Sequence, residues 1–353
     1  MKNIFVNIFL SMLSLLFTVL ILEIGARVYN SEYNFHNFVE TRRDLLRSAY
    51  PAEFDKQLGW VPKKGSHPRN AWNTKVTILN DGIRSNGGVY GTRNGETILA
   101  VGDSFTFGDQ VSDDETWSAR LEEISNTRVI NGGVFGYGVD QSFMRMKALA
   151  SKYQPDTVIF SFIPGDIYRC ELSERTSVKK PYFELSENGD LVLMKEHISP
   201  PVAPGSLDIF RKVMGYSFLA HKLVSKAFSE YWLQGTFKAT RVHSKGVEIT
   251  CRIFEQLKRY VLKENITLYI LVQYPKDAFE KSAELVDEVI ACIDQDVLEV
   301  VDLRASLAEL KEDDVDRYES FFDGHMTSEG NDFVSSLLWE TISKRNGMPN
   351  KTM

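Results

Sequence analysis

The chain has 353 residues, 43% of them apolar and 25% charged, which suits one large folded domain with additions. Lys and Arg number 41 against 48 Asp and Glu, a formal charge of −7 with no basic block, and this argues against nucleic acid as a partner. The three cysteines, Cys170, Cys251 and Cys292, form no C-x-x-C pair, which argues against a cysteine-rich metal site or a disulfide scaffold and leaves one bridge of undetermined pairing.

Residues 4–22 carry no charge and are rich in Leu, Ile, Phe and Val. As a helix they span about 28 Å, close to the hydrocarbon thickness of a bilayer. The run is long for a signal peptide, and Leu22-Glu-Ile-Gly-Ala26 matches a small-x-small cleavage site poorly. The sequence therefore predicts an uncleaved single-pass anchor over 1–30, with the remaining chain outside the cytoplasmic membrane. Lys2 before the span and Arg27, Arg42 and Arg43 after it leave the orientation undecided.

Residues 31–95 are irregular, with Pro51, Pro62 and Pro68, and are expected to form a stalk and a small cap. Within them Lys75-Val-Thr-Ile-Leu79 followed by Asn80-Asp-Gly82 reads as a short strand ending in a turn. From residue 96 apolar runs alternate with helical periodicity. Strands are predicted at 97–101, 128–131, 157–162, 267–272 and 298–301, and helices at 115–124, 141–152, 247–263, 278–293 and 328–343. That alternation implies an α/β fold, a parallel sheet covered by helices on both faces, over 96–345. Right-handed crossovers then bring the strand ends to one rim.

The alternation breaks at about 168–244, which is expected to be an insertion. Tyr182-Phe-Glu-Leu, Glu187-Asn-Gly-Asp and Leu191-Val-Leu-Met read as a hairpin. The Pro-rich link 200–204 leads to a helical stretch over 207–233 with Phe210, Met214, Phe218, Leu223 and Phe228 on roughly one face. Residues 346–353 form a tail. Asn265-Ile-Thr267 and Asn350-Lys-Thr352 fit the glycosylation pattern, but Thr267 opens a core strand.

A serine placed where a strand ends at the rim of such a sheet sits where ligands bind. Ser104, in Gly102-Asp-Ser-Phe105, is in that position. A serine needs a base for its proton and a third group to orient that base. Among His36, His67, His197, His221, His243 and His325, the first five fall in the irregular N-terminal region or in and beside the insertion, where surface or packing roles are expected. His325 follows the last strand and precedes the last helix, with Asp323 two residues ahead of it. The predicted catalytic residues are thus Ser104, Asp323 and His325, in that chain order for serine, acid and base. No cofactor or metal is predicted.

Gly102-Asp-Ser-Phe105, Asn131-Gly-Gly133, the loop at Gly165-Asp166 and Asp323-Gly-His325 resemble the successive blocks of the SGNH (GDSL-like) hydrolases over roughly 96–343. The anchor and Asn80-Asp-Gly-Ile-Arg84 resemble the membrane-anchored bacterial members of that family. The resemblance implies a flavodoxin-like sheet and ester hydrolysis through an acyl-serine, with the oxyanion held by the backbone N–H groups of Ser104 and Gly133, or of Gly132 or Gly136 in the second place. The chain departs from the family at its third block, G-x-N-D, which here reads Ile163-Pro-Gly-Asp166 and lacks the asparagine. It departs also in spacing: Asp-x-His replaces the usual D-x-x-H, as it does in related exopolysaccharide O-acetylation proteins. The implied function is a membrane-anchored serine esterase for an acylated small molecule or glycan, with O-acetyl groups on a glycan as the expected target. An O-acyltransferase of a cell-surface polysaccharide would use the same serine, and a non-catalytic glycan-binding or assembly factor on a degenerate hydrolase fold is the third expectation.

Overall fold

The central strand-forming runs of this chain are continuously apolar, the pattern of strands buried on both faces, and the edge runs are apolar in their middles. In the computed structural model they form a five-stranded parallel sheet: β1 (Thr97–Val101), β2 (Arg128–Asn131), β3 (Thr157–Phe162), β4 (Thr267–Val272) and β5 (Glu299–Asp302), in spatial order β2-β1-β3-β4-β5. This is the flavodoxin-like order, whose direction reverses between β1 and β3 and so opens a crevice at the carboxyl ends of those two strands. The structure describes residues 2–33, 37–39, 51–67, 74–88, 95–175, 178–200, 206–228, 232 and 239–345. His36, the link at 201–205 and the tail at 346–353 lie outside them.

The chain divides into two units, 1–47 with 201–238 and 48–200 with 239–353. The predicted cap and hairpin thus belong with the sheet, whereas the helical part of the expected insertion belongs with the N-terminal helix. In the sheet unit, α1 (Trp117–Ser125) packs with α5 (Ser328–Arg345), and α2 (Val139–Tyr153) packs with α3 (Gly246–Glu264). Leu99, Val158, Ile159, Phe160, Ile270 and Leu271 are fully buried between these layers. The predicted helix at 278–293 is broken at Ser282, whose hydroxyl bonds back to the Ala278 carbonyl, and resumes as α4 (Ala283–Ala291). A disulfide joins Cys251 in α3 to Cys292 just beyond α4, with the Cα atoms 5.6 Å apart. Cys170 is a free, buried thiol whose pKa burial pushes up.

Tyr182–Leu185 and Leu191–Met194 pair antiparallel as the predicted hairpin, closed by the Gly189 N–H on the Ser186 carbonyl. The cap is tied to the sheet by Arg84. Its backbone N–H donates to the Asn131 carbonyl (2.9 Å), and its buried guanidinium donates to the Gly108 and Val111 carbonyls (3.0 and 2.8 Å) and to Asp113 (3.1 Å). A charge so buried is stable only when its donors are all engaged. This one organises the loop that follows the Ser104 turn.

In the other unit, helix Lys2–Tyr29 holds a span, Ile4–Tyr29, that is long and apolar enough to cross a membrane, with a mean hydropathy of 2.5. Near its end Glu23 accepts from the Phe218 and Leu219 N–H groups (2.7 and 2.9 Å) and from the Ser217 hydroxyl. A carboxylate there satisfies orphan donors at the start of helix Phe218–Ala227.

Candidate active site

β1 ends at Val101, and the chain turns at Gly102, where an added Cβ would lie 2.4 Å from Thr106 Oγ1 and 2.7 Å from the Ser161 carbonyl. Only glycine fits that approach. Asp103 caps the one-turn helix Ser104–Phe107 by accepting from the Phe105 N–H (2.9 Å), so Ser104 opens that turn. The cap itself fixes the direction of the serine side chain, because Ser104 Oγ lies 3.3 Å from Asp103 Oδ2.

The structure brings His325 to Ser104: Nε2 is 2.9 Å from Oγ across 221 residues of chain. On the other side of the ring Nδ1 is 2.8 Å from Gln110 Oε1, and the same oxygen lies 2.7 Å from the His325 backbone N–H. A backbone N–H can only donate, so the amide atom facing it is the oxygen and not the NH2. That oxygen in turn requires a proton on Nδ1. Nε2 is left with its lone pair toward Ser104, the tautomer a general base needs. Asp109, buried and adjacent to Gln110, places Oδ2 3.7 Å from Nε2.

Asp323 is not brought to the imidazole, contrary to the role predicted for it. Gly324, at φ +78°, reverses the chain between the two residues, so that Asp323 pairs with His325 through the backbone while its side chain is exposed. Among the described residues the Nδ1 bond goes to Gln110 instead. A Cβ at 324 would also lie 2.9 Å from Gln110 Oε1 and would push that amide aside. The remaining described histidines lie elsewhere: His67 bonds to the Lys63 carbonyl, His197 to Lys180, His221 to Trp232 and His243 to Phe183.

The loop after β2 also departs from expectation. Gly133 donates its N–H to Asn131 Oδ1 (3.1 Å), Gly132 to the Ala100 carbonyl (2.8 Å) and Val134 to the Gly102 carbonyl (3.0 Å). Those three donors hold the loop and are committed. Gly136 is half-buried in an otherwise buried run, and among the described residues neither its N–H nor that of Ser104 makes a hydrogen bond. Of the glycines that the resemblance allows for the second donor, Gly136 fits and Gly133 does not.

In the loop after β3, Asp166 points back and accepts from the Ile163 N–H (3.1 Å) and from Arg169. Burial, followed by the neighbouring Asp103 carboxylate, holds its carboxyl well above the usual range. Arg169 Nη1 reaches Asp103 Oδ2 (3.0 Å) and the Tyr137 carbonyl (2.8 Å). Lys180, fully buried, lies 2.5 Å from Asp140 and donates to the Arg169 and Leu172 carbonyls. Gln110, Asp109 and Arg169 were not among the predicted site residues. The first two stand in a loop with no periodicity, and Arg169 is the last residue of a six-residue helix.

No protein-family profile and no curated protein matches this chain. Among solved structures the chain is similar to a putative lipolytic protein of the G-D-S-L family from Desulfitobacterium hafniense DCB-2, at 13% identity over 69% of this chain and 98% of that one, with a TM-score of 0.39. It is similar also to the lipase/acylhydrolase from Enterococcus faecalis, at 13% identity over 73% and 100%, with a TM-score of 0.39. A two-domain esterase active on acetylated mannans, co-crystallised with mannopentaose, matches at 13% identity over 73% of this chain and 52% of that one, with a TM-score of 0.39. The arrangement of the site is given by Ser104, His325 and Gln110 themselves.

Proposed function

We propose that this chain is a serine esterase that hydrolyses acyl esters through an acyl-serine intermediate, anchored in a membrane by its N-terminal helix and acting outside the cytoplasm on O-acetyl groups of a glycan. The observation that carries the chemistry is the Ser104 Oγ–His325 Nε2 contact of 2.9 Å, with the tautomer fixed from behind by Gln110. His325 takes the Ser104 proton as Oγ bonds to the ester carbonyl carbon, and the carbonyl π pair moves onto its oxygen. The Ser104 and Gly136 N–H groups receive that oxyanion. The tetrahedral intermediate then expels the alcohol, which takes the proton from His325. Water attacks the acyl-serine by the same route. Asp109 offsets the positive charge on the ring in both halves, a part the resemblance gives to Asp323.

The location is supported by two features: the apolar span Ile4–Tyr29 and the Cys251–Cys292 disulfide, a bond that persists in oxidising compartments. The reading is tested with full-length protein in detergent and p-nitrophenyl acetate. Wild type should release acetate, and Ser104→Ala should lose at least about 10³-fold in kcat. Turnover of that variant at the wild-type rate would refute it. O-acetylated oligosaccharides, with free acetate as the product, test the glycan substrate.

A further inference from the structure

In the family that the sequence resembles, the third block carries an asparagine whose side-chain donor completes the oxyanion hole, and here that position is Gly165. We propose that the Arg169 guanidinium supplies that donor, reaching from one turn further along the helix into the space a side chain at 165 would fill. The inference rests on the esterase reading above.

Four observations lead to it. Arg169 Nη1 is bound to Asp103, to the Tyr137 carbonyl and to Asp166, so one guanidinium joins the loops that follow β1, β2 and β3. The Asp103 oxygen it holds is the one 3.3 Å from Ser104 Oγ, and Tyr137 directly follows the free N–H of Gly136. A guanidinium has five N–H donors, yet among the described residues every hydrogen bond it makes leaves through Nη1. Finally, Nη2 lies 3.8 Å from where a Cβ at Gly165 would be, and the side chain is 15% exposed rather than sealed in. The Arg169 backbone is held as well, its carbonyl accepting from Lys180 at 3.1 Å.

In the reaction Arg169 stays protonated throughout. As Oγ bonds to the carbonyl carbon, the π pair collects on the carbonyl oxygen, and an Nη2–H donates to that oxygen. The bond exists only once the negative charge has formed, so it lowers the barrier without tightening ground-state binding.

The test compares Arg169→Lys with the double variant Arg169→Lys/Gly165→Asn in full-length protein, using p-nitrophenyl acetate and the urea unfolding midpoint. Lysine keeps a cation for Asp103 and Asp166 but presents no second N–H edge. The expected result is a fall in kcat of about 10²-fold with KM within a few-fold. Gly165→Asn should then recover at least about tenfold of it, as a side-chain donor is restored; the nearest atom to a Cβ at 165 is 3.7 Å away, so the site has room. An Arg169 that only braces the loops would give a loss that Gly165→Asn does not recover, and this overturns the inference. So does an Arg169→Lys kcat within about threefold of wild type while wild type remains active; the esterase reading then survives alone. A wild-type protein that neither turns over the ester nor becomes phosphonylated at Ser104 removes both. Should Arg169→Lys not fold, Arg169→Gln with and without Gly165→Asn makes the same comparison.

Discussion

Gln110 is the residue on which the base reading depends, and Gln110→Gly separates its catalytic part from its structural one. Gln110 is not glycine, yet its φ is +73°, a left-handed conformation that costs an ordinary residue about 1–2 kcal/mol. Glycine removes that cost. It also removes two hydrogen bonds, to the His325 backbone N–H and to Nδ1, worth about 1 kcal/mol each. The two changes nearly cancel, so the urea midpoint should move by no more than about 1 kcal/mol equivalent. Activity should not be spared, because nothing then holds the proton on Nδ1. Losing the group that sets the tautomer costs other serine hydrolases about 10⁴-fold; with Asp109 still in place, a loss of about 10²–10⁴-fold in kcat on p-nitrophenyl acetate is expected. Gln110→Glu completes the series. A carboxylate at Nδ1 holds a proton on the ring, so the acid limb of kcat/KM should move to higher pH by about one unit or more. A Gln110→Gly enzyme within about threefold of wild type would refute the orienting role and return attention to Asp323.

Two further outcomes follow from the sheet unit. Opening the Cys251–Cys292 bridge, which spans 41 residues, with Cys251→Ser should destabilise the protein by about 4 kcal/mol from loop entropy, read as a lower urea midpoint; a wild-type midpoint insensitive to dithiothreitol would contradict it. The hydrogen bonds from Lys152 and Tyr153 hold the Asp81 carboxyl below its usual range. A depressed folded pKa gives stability that is present above the unfolded value and is lost as pH falls through the folded one. Asp81→Asn should therefore be less stable than wild type at pH 7 and approach it as pH falls below the ordinary carboxylate range, and a stability gap that widens in acid would overturn the pairing.

The sheet was legible because its signal is local. Continuous apolar runs such as Leu99–Val101 and Val158–Phe160, separated by amphipathic periods, fix a parallel α/β layer arrangement whatever the loops do. Ser104 and His325 were legible for a related reason, since each stands at a strand end or beside the last helix, positions that topology carries to one rim. The partners of His325 were not. Asp323 is near it in sequence, but one glycine at positive φ turns the carboxylate into solvent; Gln110 is 215 residues away, and nothing in a sequence announces an amide in a left-handed turn.

By itself, then, the sequence determined the apolar N-terminal helix, the doubly covered sheet and the two residues that face each other over its rim, because periodicity and strand order are properties of the chain. The tertiary structure alone decided which donors are free and which are spent. It commits the Gly133 N–H to Asn131, leaves those of Gly136 and Ser104 without a hydrogen bond among the described residues, sets Gln110 against Nδ1 of His325, and joins Arg169 to Asp103 and to the Tyr137 carbonyl. Hydrogen bonds of that kind depend on angles and distances between loops far apart in the chain, which residue types and spacings do not encode one at a time.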